Sequence, residues 1–136
     1  MKAAVRYHTR SGNTKKLAEA IAAEAGVSAA DLSATLSEKA DVLFLGSSLY
    51  AGNFDPAVGE FIEKNAGKIG LIACFGSSAS GRSTFSKLKA FAESKGVSVC
   101  EEHFDCFGHF LFLHKNRPNE EDFAAAAAFA KRILTK

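Results

Sequence analysis

Apolar and polar positions alternate along this chain in short blocks of two kinds. Four blocks read as strands: "KAAVRYH" (2–8), "DVLFLGSS" (41–48), "KIGLIACFG" (68–76) and "VSVCEEHFDC" (97–106). The middle two are continuously apolar, as strands buried on both faces are. "VSAADL" (27–32) is a shorter candidate for a fifth. Between them the apolar positions recur every three or four residues. Leu17, Ala18, Ile21, Ala22 and Ala25 share one face of a helix over 14–25, and Gly26 stops it. Asp55-Pro56 opens a second helix as N-cap and first-turn proline, with Val58, Phe61 and Ile62 on its apolar face and Gly67 at its end. Phe85, Leu88 and Ala92 stripe a third over 83–95, ended by Gly96. In "NEEDFAAAAAFAKRILTK", Asn119 caps, three acids follow at the positive end of the dipole, and Lys131 and Arg132 lie at the other. Its five alanines read as a close-packing face against a sheet.

Strands alternating with helices predict an α/β fold: a doubly wound, five-stranded parallel sheet in three layers, with helices on both faces. No repeat or linker divides the chain, so residues 1–136 read as a single domain. In open sheets of this kind a ligand sits beyond the carboxyl ends of the strands, where strand order reverses. The loops to read are therefore 9–14, 47–55 and 76–82.

The first of these turns from strand to helix through hydrogen-bond donors. Thr9, Ser11 and Thr14 bring hydroxyls, Asn13 an amide and Arg10 a strong charge, and Gly12 permits a left-handed or close backbone approach. A helix N-terminus presents unpaired N–H groups and partial positive charge, which suits a phosphate. An ordinary helix cap rich in turn-forming residues has the same composition. In the second loop Tyr50 offers a flat face for stacking. Together the three loops hold one acid, Asp55, against two arginines, Arg10 and Arg82.

Composition narrows the chemistry further. An apolar fraction of 47% argues against disorder, and no apolar run approaches the roughly 20 residues of a membrane helix. The first residues are too short and too interrupted for a signal peptide. Three cysteines without a C-x-x-C pair read as reduced thiols of the cytoplasm. A net charge of +2 is too mild for a nucleic-acid-binding face. Neither G-x-x-x-x-G-K-[ST] nor a G-x-G-x-x-G after the first strand is present. Cys74 and Arg82 are separated by seven residues, against the five of a cysteine phosphatase. Residues 76–80 lack the closing glycine of a nucleophile elbow. The four histidines lack helical ligand spacing, which predicts no metal site, and no catalytic acid–base residue is assigned.

"T-R-S-G-N-T" resembles the phosphate loop of the flavodoxins, [ST]-x-[ST]-G-x-T, and stands where that family has it, after the first strand. The likeness continues through "GSSLYAGNFDPAVGEFIEKN" and the strand–helix order, over nearly the whole chain. It implies a flavodoxin-like fold, FMN as cofactor, and contacts from Thr9, Arg10, Ser11, Gly12, Asn13 and Thr14 to the phosphate. By the same resemblance Ser47, Ser48, Leu49, Tyr50, Ala51, Gly52, Gly76, Ser77, Ser78 and Gly81 line the ring and its pyrimidine edge. In that family a carbonyl of the second loop accepts a hydrogen bond from the reduced ring's N5–H, and Ala51 or Gly52 stands there. The chain departs from typical flavodoxins in being slightly basic, in lacking an aromatic after the fourth strand, in carrying Arg10 in the phosphate loop, and in lacking the insertion of the long-chain group.

The implied function is electron transfer between redox partner proteins. Two alternatives stand beside it. "TRSGNT" with "GSSLYAGNFDP" also resembles the flavodoxin-type protoporphyrinogen oxidases, and so an FMN oxidoreductase acting on a small molecule such as a tetrapyrrole. The other is a phosphate-binding domain that keeps the fold without a flavin. "FGHFLFLHKNRP" (107–118) belongs to none of the three loops. It reads as core, or as a self-association surface through Phe107, Phe110 and Phe112.

Overall fold

The computed structural model describes residues 2–8, 12–48, 54–78, 85–107 and 119–135, with the side chains of 48, 77, 78, 106 and 107 outside that description. The elements run β1 (Ala3–His8), α1 (Asn13–Ala25), β2 (Ala29–Asp31), β3 (Val42–Ser48), α2 (Pro56–Asn65), a 3-10 turn (Ala66–Lys68), β4 (Ile72–Ser78), α3 (Phe85–Ser94), β5 (Phe104–Phe107) and α4 (Glu120–Leu134). The five strands form one sheet in the order β2-β1-β3-β4-β5. Every pairing in it is parallel. The predicted three-layer α/β architecture is the one observed.

The apolar alternation sorts the core into two layers. Val5, Val42, Phe44, Ala73 and Phe75 face α1 and α4, where Leu17, Ile21, Phe129 and Ile133 close over them. Leu43, Leu45, Ile72 and Cys74 face α2 and α3, against Val58, Phe61, Ile62 and Leu88. β3 and β4 contribute to both layers, which is why their sequences lack a polar face. On α4 only Ala126 of the five consecutive alanines is buried, in step with Asp122, Phe129, Ala130 and Ile133. The alanine run is therefore not a packing face as a whole. A 3.6-residue period turns Ala124, Ala125 and Ala128 to solvent.

Helix ends follow their local chemistry. Asp55 caps α2, accepting from the Ala57 amide at 3.0 Å ahead of Pro56. Asn119 and Asp122 form a reciprocal capping box on α4. α2 stops at Asn65, two residues before Gly67, because Asn65 turns inward: its amide donates to the Phe61 carbonyl at 2.9 Å and its oxygen accepts from the Leu36 amide at 3.1 Å. The fifth strand is shorter than the sequence pattern implies. Around Ile72 only Ser98 and Cys100 pair, at 2.9 and 2.8 Å, and regular pairing resumes at Phe104. The acidic step Glu101-Glu102 between them lies off the ladder.

A cavity of about 180 Å³ opens at the amino end of the sheet beside Lys2, Arg6, Leu36 and Glu38. Two of its cations, Lys2 and Arg6, are engaged within the fold. Lys2 pairs with Glu38 at 2.7 Å, and Arg6 donates to the carbonyls of Ala34, Val5 and Thr35. Burial lowers the Arg6 pKa without changing its charge at neutral pH.

Two glycines let β3 and β4 approach their neighbours. A Cβ at Gly76 would stand 2.2 Å from the Ser47 carbonyl oxygen, and one at Gly46 would stand 2.4 Å from the Phe75 ring and 2.8 Å from Thr14 Cγ2. The first obstacle is backbone in a paired strand, whereas the second consists of side chains. Gly76→Ala should therefore cost roughly 3 kcal/mol or more, and Gly46→Ala about 1–3 kcal/mol. Urea unfolding of the two variants measures the order, and a milder effect at 76 than at 46 would contradict it.

Candidate functional site

Strand order reverses between β1, which runs on to α1 beside β2, and β3, which continues toward β4. The carboxyl ends of these strands thus frame a crevice. α1 begins there at Gly12, whose φ of 86° lies in the left-handed region and whose α-carbon faces open space where a side chain would stand. A glycine cap brings no side-chain acceptor of its own. No acid occupies the first turn of α1, whereas α4 carries Glu120, Glu121 and Asp122 there. α2 also lacks a first-turn acid but is capped by Asp55, so among the helices whose caps are described α1 is the start without an acid at cap or first turn, which suits an external anion.

Asn13 and Thr14 are buried, and Thr14 is fully so, with its methyl directed at Gly46 of β3. Thr14 therefore has a packing role besides any hydroxyl contact. Thr9, Arg10 and Ser11 lie outside the described residues, as do Leu49, Tyr50, Ala51, Gly52, Gly81 and Arg82. Ser48, Ser77 and Ser78 extend the paired backbone at the ends of β3 and β4. Ser47 is buried on the face toward α2 and α3. Phe54, the other large aromatic of the second loop, packs edge-on against Phe91, with ring centres 5.7 Å apart. Of segment 107–118, only the backbone of Phe107 is described, so the self-association expectation for Phe107, Phe110 and Phe112 falls outside the described side chains.

Sheet register joins Ser47 and Gly76, two of the expected lining residues, to His8 and Asp105, which the loops do not include. His8 pairs with Ser47, Ser47 with Gly76, and Gly76 with Asp105. The four form one row across the carboxyl ends of β1, β3, β4 and β5. The row is polar where the positions just below it, Leu45 and Cys74, are core. A carboxylate ends each flank. His8 Nε2 stands 3.1 Å from Asp55 Oδ2, and His103 Nδ1 stands 2.5 Å from Asp105 Oδ2. Asp31, at the end of β2, is held below the usual carboxylate range chiefly by the Ser33 hydroxyl and amide, with His8 and Lys15 adding a smaller effect. Asp55 is the one acid of the three loops, and the register adds Asp105 to the same rim. The signal for Asp105 is its pairing with Gly76, which becomes readable only once β4 and β5 are aligned.

These residues fit a phosphate monoester carrying a polar chain. An anion there would meet a helix start with no first-turn acid, and a polar chain attached to it would meet the row. Cys74 is enclosed in the core, and burial pushes its thiol up to about 12. The fold therefore favours the protonated thiol. That contribution is intact below about pH 9 and is lost as pH rises toward 12.

A flavodoxin domain model matches residues 4–99. An uncharacterized protein of Methanocaldococcus jannaschii is 31% identical over 149 aligned positions, covering 98% of this chain and 99% of that protein. Among solved structures, a flavodoxin from the domain Archaea superposes with a TM-score of 0.77 at 22% identity, over 99% of this chain and 97% of its own. Oxidised flavodoxin 1 of Bacillus cereus gives 0.75 at 21%, over 99% and 98%.

Alkylation tests the state of Cys74. Iodoacetamide at pH 8 should leave this thiol unmodified in the folded chain and modify it in denaturant, as peptide mass mapping reads. Prompt labelling of the folded chain at Cys74 would show an open or activated thiol.

Proposed function

The chain belongs to the flavodoxin family, and on that basis we propose that it binds FMN and carries electrons between partner proteins as one domain over residues 1–136. The family generally binds FMN and transfers electrons to redox partners. The observation that carries the reading for this chain is α1 beginning at open, left-handed Gly12, free of first-turn acid, at the point where strand order reverses. FMN supplies one- and two-electron chemistry when bound. The chain's own residues bind it, orient it and set the charge around it.

In this reading the phosphate rests on residues 9–14, where Thr9, Ser11, Asn13 and Thr14 supply neutral donors and Arg10 supplies charge. The ring lies between the loop of Leu49, Tyr50, Ala51 and Gly52 and that of Ser77, Ser78 and Gly81, with Tyr50 stacked on it. The packing of Phe54 against Phe91 supports Tyr50 as the stacking aromatic. A cytoplasmic setting is part of the same proposal and suits the free thiols of Cys74 and Cys100. Among the described residues no helix is long and apolar enough to cross a membrane.

The visible spectrum of the purified protein and a fluorescence titration test the assignment. FMN should bind about tenfold or more tightly than riboflavin, because charge-assisted hydrogen bonds to the phosphate are absent in the latter. Equal affinities would remove the phosphate from residues 9–14, and no binding of either would remove the flavin. Tyr50→Ala should weaken FMN binding by about 1 kcal/mol and restore part of the quenched flavin fluorescence. Unchanged quenching and affinity would assign the stacking to another group.

A further inference from the structure

Each end of the polar row is tied to the beginning of a helix that borders the crevice. On one flank, Asp55 does two things at once. Its Oδ1 accepts from the Ala57 amide at 3.0 Å, and its Oδ2 faces His8 Nε2 at 3.1 Å. That nitrogen is buried and makes no aligned hydrogen bond, so the contact is one of proximity rather than of hydrogen-bond geometry. It joins the last residue of β1 to the cap of α2. On the other flank, Asp105 meets His103 at 2.5 Å, and the His103 ring lies flat on Phe85, with centres 4.0 Å apart and planes within 13°. Phe85 is the first residue of α3. The two ties are built from different residues, yet both run from a strand through an imidazole–carboxylate pair to a helix start.

The ordinary role of an N-cap carboxylate is to hold its helix, and the ordinary role of a histidine stacked on phenylalanine is to pack. Neither role requires the second half of each arrangement. Asp55 would cap α2 without His8 beneath it, and His103 would cover Phe85 without Asp105. The same duplication appears at both edges of one crevice. We propose that His8–Asp55 and His103–Asp105 are positioning pairs for the bound FMN: they hold the first turns of α2 and α3 to β1 and β5, so that the imidazole–carboxylate contact on each flank sets cofactor affinity separately from fold stability. This rests on the FMN reading above.

Substitutions can separate the two roles. Asp55→Asn keeps a good N-cap acceptor and removes the charge opposite His8. His103→Phe keeps the ring stack and removes the contact with Asp105. With Asp105→Asn and His8→Gln they complete one set for each flank. FMN dissociation constants come from fluorescence quenching, and thermal midpoints from the same proteins without FMN. Each single variant should bind FMN about threefold to tenfold more weakly, the range expected for loss of one partly exposed polar contact, with a ligand-free midpoint close to wild type. The His8→Gln/Asp55→Asn double variant should be no weaker than either single, as should the pair at 103 and 105, because each pair acts as a unit. Wild-type affinity in all four single variants overturns the proposal, as does an affinity loss that tracks a fall in the ligand-free midpoint. A wild-type chain that fails to bind FMN overturns the FMN reading and this one together, an outcome distinct from the other two.

Discussion

The in-register parallel pairing of β1, β3, β4 and β5 is the constraint on which the rest of the molecule depends. Parallel neighbours cannot be joined by tight turns, so each connection must cross a face of the sheet, and the crossing helices bury both faces. This is why β3 and β4 are apolar on both sides. It also sends every strand out of the sheet at the same end. The residues at those exits then lie side by side whatever their distance in the chain, and His8, Ser47, Gly76 and Asp105 become neighbours across nearly a hundred residues of sequence. The close fit at Gly76 belongs to the same constraint, because β3 and β4 keep this register only where position 76 has no side chain.

Much of the fold was legible from patterning alone. The order of elements, the capping by Asp55 and Asn119 and the two-sided burial of the central strands all follow from local chemistry that neighbours do not override. The misreadings share one cause. Residues 97–103 carry strand-like composition, yet pair only around Ile72, since an edge strand needs just one partner and can leave it where Glu101 and Glu102 favour water. The alanine run of α4 looked like a face because five small residues conceal the helical period that flanking Phe129 and Ile133 reveal. In both cases composition was right for the element and silent about which side of it meets the core.

The candidate site was legible in a different measure. The glycine and the donors of 9–14 are contiguous, so a sequence motif displays them. Asp105, His103 and His8 belong to the crevice only through register and through contacts made across strands and helices, which no spacing along the chain reports. Thr14 shows the intermediate case: the motif locates it, but its packing against Gly46 depends on the fold.

Counting acids in loops is consequently a poor guide to the field in this crevice. The slightly basic composition and the two arginines suggest an electropositive rim, whereas the described carboxylates there are three, Asp31, Asp55 and Asp105. Each is engaged at short range: Asp31 by Ser33, Asp55 by the Ala57 amide and His8, Asp105 by His103. An engaged carboxylate keeps its charge, but a donor or cation a few ångströms away cancels much of its field at the distance of a ligand, and solvent screens what remains. The arginines are subject to the same arithmetic once one of them faces a phosphate. What a flavin ring would experience is then set less by the number of charged residues than by how completely each is paired, and the pairing is decided by the same strand register that built the row.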